Sequence, residues 1–417
     1  MELEAIGLLA MMYFMLYCSI LWILVYFDNK KQIRLDPTPL HKPLLSIVIP
    51  VYRNDTVEAI RRAITSALEQ DYPQKEVIIA WNGPEEKENL AVCKEYETQG
   101  LIKFVSTTTQ GKAAAINEAL KIMSGELFCC LDADSYFKQN AVNCMVGYFN
   151  EPLMGAVTSS MKVHQPKNWL QKIQWVEYIF AIYLRRMMSF MNCLYVIPGP
   201  GSMYRTSLIK ELGGFDEHNL TEDMEIAFRI QKAGYKIANS ANAYVDTIAP
   251  SRFMPLIKQR IRWYAGFYDN MRIYKGMVIN PKYGSLGMFI LPTSVAWIAI
   301  VLISLAKVIS DFIVSASYPI RTISLVGFDL DLFIKSIYKS IYFEPTYITY
   351  FAIIFTIMAV TVIYLGLKVA KEKVDFRKKY PHYSLYFITY SFLIGLFWIF
   401  ALSYILVRGK RKDWIKW

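Results

Sequence analysis

Apolar positions along this chain form two kinds of run. Residues 5–27, 288–310, 347–367 and 385–407 are long and nearly uncharged, each near the roughly 20 residues a helix needs to cross hydrocarbon. The region between the first two, residues 28–285, mixes polar and apolar positions as a globular domain does. There, short apolar runs alternate with helical spacing. Leu44-Leu45-Ser46-Ile47-Val48-Ile49-Pro50, Glu76-Val77-Ile78-Ile79-Ala80, Ile102-Lys103-Phe104-Val105-Ser106 and Leu127-Phe128-Cys129-Cys130-Leu131 read as strands. Residues 56–70 (Ile60, Ala63, Ile64, Ala67, Leu68), 85–99 and 113–123 read as helices. Such alternation predicts an α/β, Rossmann-like domain on a mostly parallel sheet. Ligands of such sheets sit at the carboxyl ends of the strands, here Tyr52–Asp55, Trp81–Pro84 and Asp132–Ser135.

The expected organisation is a transmembrane anchor at 1–30, a globular domain at 31–285 and a transmembrane region at 286–417. The first apolar run has Glu2 and Glu4 where a signal peptide carries positive charge, and it lacks a small-residue cleavage site before Asp28-Asn29-Lys30-Lys31. It reads as a retained anchor. Lys30, Lys31 and Arg34 then place the globular domain in the cytoplasm of a multi-pass plasma-membrane protein. With four spans, the basic 368–383 loop (Lys368, Lys371, Lys373, Arg377, Lys378, Lys379) falls inside. The tail Arg408-Gly409-Lys410-Arg411-Lys412 falls outside, against the charge rule, unless Trp414 and Trp417 hold it at the interface; the last span's orientation stays open. Two further segments, 167–190 (Trp169, Leu170, Ile173, Trp175, Val176, Ile179, Phe180) and 252–275, read as helices at the membrane surface. Lys172, Gln174 and Glu177 argue against the first spanning the bilayer.

Composition agrees. A 54% hydrophobic chain with mean hydropathy +0.25 is too apolar for an ordinary soluble enzyme. Its net charge of +11 suits work at an anionic membrane surface on phosphate-bearing substrates, and also supplies the positive-inside signal. No motif points to nucleic acid. The six cysteines (Cys18, Cys93, Cys129, Cys130, Cys144, Cys193) lack metal-ligand spacing and read as reduced structural thiols.

Candidate chemistry lies in an ordered series. Asp132-Ala133-Asp134 ends the fourth strand, where a hard divalent ion can take one or two carboxylates and complete its shell with diphosphate oxygens. Alone, such a pair would read as a solvated acidic turn; the apolar run 127–131 before it favours a functional site. Gly111-Lys112 opens a helix, and a lysine at a helix N-terminus is an anion site. Thr221-Glu222-Asp223 precedes helical spacing at Ile226, Ala227 and Ile230; Thr221 fits an N-cap, and acidic residues there also simply complement the helix dipole. Gly199-Pro200-Gly201-Ser202-Met203-Tyr204-Arg205 and Gly213-Gly214-Phe215 suggest a loop-rich floor. In Gln259-Arg260-Ile261-Arg262-Trp263, Arg262 has a fork suited to phosphate and Trp263 a flat face of the kind sugars stack on.

These residues, in this order from about Pro43 to about Lys275, make the chain resemble the membrane-integrated family 2 glycosyltransferases. It is most similar to the processive branch of cellulose, chitin, hyaluronan and poly-N-acetylglucosamine synthases. The resemblance implies a GT-A fold, Mg²⁺ or Mn²⁺, and inversion to a β-linkage. It implies donor contacts at Pro50, Tyr52, Asn82, Lys112 and Asp132, metal binding at Asp134, and a general base at Asp223 with Glu222 beside it. Gln259, Arg262 and Trp263 would bind diphosphate and acceptor. The implied partners are a nucleotide-sugar donor (UDP-GlcNAc or a related UDP-hexose), a polysaccharide or lipid-linked acceptor, and membrane lipids, with a homo-oligomer open. Two departures bear on the donor: Trp81-Asn82-Gly83-Pro84 stands where aspartates are usual, and Arg53-Asn54-Asp55 where Asn-Glu is. The reading is a polymerase that exports its product. The alternatives are single-sugar transfer to a polyprenyl phosphate and, from outside enzymology, a transporter or carbohydrate-binding subunit.

Overall fold

Four strands form at the predicted positions in the computed structural model, which describes residues 2–52, 55–83, 88–327, 331, 334, 347–372 and 376–408. After the N-terminal helix α1 (Glu2–Asp28) come β1 (Leu45–Tyr52), α2 (Val57–Leu68), β2 (Lys75–Asn82), α3 (Glu88–Thr98), β3 (Lys103–Ser106), α4 (Lys112–Ile122) and β4 (Leu127–Cys130). These strands lie parallel in the order β3-β2-β1-β4. Side chains alternate across the sheet. Ile47, Ile49 and Val51 pack beside Ile60, Ala63, Ile64 and Ala67 of α2. Val48, Ile78 and Ala80 face Ala115, Ile116 and Ala119 of α4. The β1–β4 ladder ends at Val48↔Cys130, before Pro50, whose missing N–H would have broken it. Past that point the two strands separate, and the crevice opens.

The second half of the sheet departs from the sequence reading, which placed no strand beyond residue 131. It comprises β5 (Ser135–Phe137), α5 (Ala141–Val146), β6 (Met154–Val163), α6 (Trp169–Phe190), β7 (Ser202–Arg205), α7 (Thr206–Glu211), α8 (Glu222–Lys232), β8 (Lys236–Thr247) and α9 (Phe253–Ile273). The full order is β3-β2-β1-β4-β7-β6-β8-β5, and only β6 and β8 pair parallel in this half. The expected loop-rich floor at 199–215 is corrected accordingly. Ser202–Arg205 is a strand between β4 and β6, and Thr206–Glu211 is a helix. β6 and β8 escape a hydrophobic pattern because polar side chains satisfy one another between them. Asn239 Nδ2 donates to Thr158 Oγ1 at 2.8 Å, and the Ser160 hydroxyl to Ser240 O at 2.8 Å.

Beyond α9, a π-helical turn (Leu286–Ile290) leads into α10 (Leu291–Val326), followed by α11 (Tyr347–Val369) and α12 (Phe376–Arg408). Ile6–Asp28, Leu286–Ser315 and Thr349–Val369 are long and apolar enough to cross a membrane, whereas the apolar stretch in α12, Phe392–Val407, is shorter. α10 therefore runs well past the expected end of its span, and α12 starts inside the expected 368–383 loop. Arg53, Asn54, Pro84, Lys373 and the tail from Gly409 through Trp417 lie outside the described residues.

The segment that follows α1 is tied to the rest of the domain by buried polar contacts. Arg186 of α6 donates to the carbonyls of Gln32 (2.9 Å), Ile33 (3.1 Å) and Leu35 (2.9 Å). Asp36 accepts from the Tyr148 hydroxyl at 2.8 Å and the Ala241 amide at 2.8 Å. Behind Arg186, Ile179, Ile182 and Tyr183 of α6 pack with Ile363 and Leu367 of α11. The predicted interface helix α6 thus lies between the sheet and the membrane helices.

Candidate active site

The three strand-end loops meet in one acidic crevice. At the end of β1, the Tyr52 amide donates to Asp55 Oδ2 at 2.7 Å and Asp55 N returns a bond to Tyr52 O at 3.1 Å. Asp55 is drawn into the cluster more tightly than strand-end position alone foretells. Burial, then the charge of Asp132, holds its carboxyl up at about 6, against the pull of the Tyr52 amide and Lys112. Pro50 lies two residues before Tyr52 on β1, paired in register with Ala80 of β2.

Asn82, at the end of β2, braces the next loop. Its Nδ2 donates to Thr109 O at 2.5 Å, and its Oδ1 accepts from Gly111 N at 3.0 Å. Both ends of the side-chain amide are thus engaged on the loop that delivers Lys112. Gly111 precedes α4 with φ 128°, a conformation L side chains rarely adopt. This turn lays Lys112 at the first position of α4, with its ammonium paired to Asp132 Oδ1 and 3.8 Å from Glu222 Oε1. Those carboxylates raise the lysine's pKa despite the opposing effect of burial. Gly199 completes the contact, since a Cβ there would overlap the Lys112 ammonium and lie 3.3 Å from the Asp132 carboxylate oxygens.

Asp134 is solvent-accessible in this crevice while protein crowds around it. Desolvation, then Asp132, raises its carboxyl to about 6. The Ser135 hydroxyl donates to Asp134 Oδ1 at 2.8 Å and is itself within 2.9 Å of Thr247 Oγ1, which fixes the turn. Among the described residues no group of three His, Cys, Asp or Glu side chains could hold a metal ion unaided. A carboxylate with a second one two residues away nevertheless fits an octahedral ion whose remaining ligands are diphosphate and water. The residues present therefore fit Mg²⁺ or Mn²⁺ bound together with a substrate.

Across the crevice, α8 begins with Glu222 and the half-buried Asp223. Burial and the neighbouring Glu222 raise the Asp223 carboxyl to about 7, opposed by Lys112 and Arg262. Thr221 occupies the N-cap position, yet its side chain does not cap. Its hydroxyl instead accepts from Asn270 Nδ2 of α9 at 3.1 Å, because α9 crosses the N-terminus of α8 closely enough to compete. Gly266 permits that approach: a Cβ there would come within 2.9 Å of Thr221 Cβ.

From α9, Arg262 Nη1 donates to Leu220 O at 3.4 Å, and its charge reaches Asp223. Trp263 is half-buried. Gln259 Oε1 is buried with no hydrogen-bond partner. Arg260 belongs elsewhere; it is 1% exposed and bonded to Glu177 of α6. The fold therefore gathers Pro50, Tyr52, Asn82, Lys112, Asp132, Asp134, Glu222 and Asp223 around the carboxyl ends of the strands. Arg262 is brought to the same place by α9, and Gln259 and Trp263 flank it on the same helix.

A model of the Glycosyltransferase like family 2 matches residues 42–266. A poly-beta-1,6-N-acetyl-D-glucosamine synthase of Staphylococcus epidermidis is 27% identical over 363 residues, covering 79% of this chain and 86% of that one. Its counterpart from Staphylococcus aureus is 27% identical over 311 residues, 71% of this chain and 74% of the relative. The solved structure of a mannosyltransferase from Pyrobaculum calidifontis, in complex with GDP-Man and Mn²⁺, superimposes with a TM-score of 0.54 at 21% identity, covering 77% of this chain and 94% of that one. The globular region has the GT-A-like fold.

Proposed function

The chain belongs to the family 2 glycosyltransferases, and from that premise we propose that it is an inverting, metal-dependent β-glycosyltransferase adding N-acetylglucosamine from UDP-GlcNAc to a growing polysaccharide, which it also exports. The observation that carries the reading is the meeting of Asp223, poised near neutrality, with Lys112, Asp132 and Arg262. The donor and polymer are drawn from the staphylococcal relatives, which are poly-beta-1,6-N-acetyl-D-glucosamine synthases.

In this mechanism the ionised Asp223 takes the proton from an acceptor hydroxyl as its oxygen bonds to the anomeric carbon. The bond from that carbon to the diphosphate breaks on the opposite face, giving inversion. Lys112 moves from its carboxylate partners toward the departing diphosphate, and Arg262 adds a second cation. Asp134, with Asp132 beside it, would hold the Mg²⁺ or Mn²⁺, which supplies further neutralisation of the leaving group. Trp263 offers the acceptor sugar a stacking face, and Gln259 Oε1 a buried acceptor for a sugar hydroxyl. Asn82 acts on the donor through the loop it braces. Lys30, Lys31 and Arg34 support a cytoplasmic domain in the plasma membrane, and the apolar helices packed behind α6 and α9 support passage of the product outward.

The test is incubation of membranes with radiolabelled UDP-GlcNAc, and separately GDP-sugars, with Mg²⁺ or Mn²⁺, followed by sizing of the product. A high-molecular-weight product made by the native protein and lost in Asp223→Asn is expected. One labelled sugar per lipid would replace the polymerase with a lipid-linked transferase, and undiminished transfer by Asp223→Asn would overturn the assigned base.

A further inference from the structure

Arg260 lies between Gln259 and Arg262 in sequence but not in the crevice. It is the largest of the fully buried side chains, at 1% exposure. An unpaired guanidinium in such a place is prohibitively costly, so its partners define its role. One is Glu177 of α6, whose Oε2 accepts from Arg260 Nη2 at 2.6 Å. Another is Trp263, three residues on and hence on the same helix face, with its ring centroid 4.2 Å from the guanidinium carbon; Tyr178, Tyr264 and Tyr390 also lie near the charge, and the buried Nε has no hydrogen-bond partner. α9 is bolted elsewhere too: Tyr264 stacks on Trp398 of α12 (4.5 Å, 9°), and Asn270 bonds Thr221. Neither of those contacts touches the Trp263 ring. The guanidinium bound to Glu177 lies against one face of that ring.

We propose that Arg260, held by Glu177 of α6, is a positioning residue that fixes the Trp263 ring in the orientation that receives the acceptor sugar. The idea rests on the proposed function for the word acceptor, though not for the geometry. Glu177 pins the guanidinium plane, and the pinned plane orients the indole through a desolvated cation–π contact. Lysine would keep the charge but not the plane. α6 also packs on the membrane helices, so the aromatic platform takes its orientation from the membrane side of the molecule rather than from the strand-end loops.

The test separates this role from simple support of the fold. Replacing a buried ion pair by apolar residues of similar volume is often neutral or stabilising, so Arg260→Met with Glu177→Leu in the full-length, detergent-solubilised protein keeps the helices packed. Hydroxyl-radical footprinting read by mass spectrometry then reports the ring itself. Trp263 labelling is expected to rise about threefold or more while Tyr274, stacked on Phe228 and bonded to Glu225 at the far end of α9, is unchanged. In transfer assays with a β-linked N-acetylglucosamine trisaccharide as acceptor, the acceptor KM is expected to rise about tenfold, the equivalent of one desolvated cation–π contact, with donor KM unchanged. Arg260→Lys, which keeps the charge but not the plane, is expected to raise the acceptor KM as the double variant does. Unchanged Trp263 labelling in the double variant overturns the inference, as does a native acceptor KM. Failure of the native protein to transfer sugar refutes the proposed function instead, and footprinting then decides this inference alone.

Discussion

Gly199→Ala is expected to slow catalysis by about 10²-fold while leaving the fold intact. The added Cβ would overlap the Lys112 ammonium and lie 3.3 Å from both Asp132 carboxylate oxygens. Carbon and nitrogen settle near 3.5 Å, so the ammonium must retreat by about 1 Å or more. It is the far end of a flexible side chain, and Gly199 does not need a left-handed φ. Gly199 is itself buried, so stability should fall by about 1 kcal/mol, the ordinary cost of a point substitution. Displacement of a charge-stabilising group by about 1 Å costs on the order of 10²-fold in rate. Withdrawing Lys112 also removes one of the cations that restrain the Asp223 pKa, so the acid limb of the pH profile should move to higher pH.

Initial rates with radiolabelled UDP-GlcNAc across pH, beside thermal unfolding of the solubilised protein, measure both. Gly201→Ala is the matched control. Its φ is +73°, and its Cβ would be driven into Val245 and Phe137, so it should lose stability by about 1–3 kcal/mol. Gly199→Ala with more than half the native kcat would refute the assigned role of Lys112, and so would a loss of activity explained wholly by unfolding.

Asp223 sets the pH dependence. A base must be ionised, so kcat/KM should rise through about pH 7 and fall roughly tenfold per unit below it; Glu222→Gln removes a charge that raises Asp223 and should shift that limb to lower pH. The same raised carboxyl binds a proton more tightly folded than unfolded. Its contribution to stability is accordingly present below 3.8 and is lost as pH climbs through about 7, a trend that Asp223→Asn should flatten in unfolding measurements. Chelation should stop transfer, and Mn²⁺ or Mg²⁺ should restore it in the native protein but not in Asp134→Asn; full activity in chelator excludes the metal reading. Gly266→Ala should wedge α9 away from Thr221, lowering stability by about 1–3 kcal/mol together with activity, and an unchanged melting temperature would show that the two helices are not so tightly apposed.

The legible half of the domain and the illegible half differ in what fills their interiors. β1, β2 and β4 bury aliphatic, aromatic and thiol side chains against α2 and α4, so periodicity exposes them and their carboxyl ends locate the crevice. β6 and β8 are buried just as deeply, with Thr158, Ser159, Ser160, Asn239 and Ser240 each at 2% exposure or less. Their burial is made tolerable by hydrogen bonds, some across the two strands and others to Pro200 and Asp36, which no count of apolar residues detects. The site divides in the same way. Asp132, Asp134, Lys112 and Asp223 announce themselves because carboxylates and a lysine at element ends are chemically suggestive. Asp55, at a strand end the pattern does locate, is held with them by the Tyr52 amide, and Arg260 leaves them because Glu177, more than eighty positions earlier in sequence, reaches it across the helix interface. Which of two arginines in one five-residue cluster reaches Asp223 and which becomes a strut is decided by that long-range pairing, and so by packing rather than by motif.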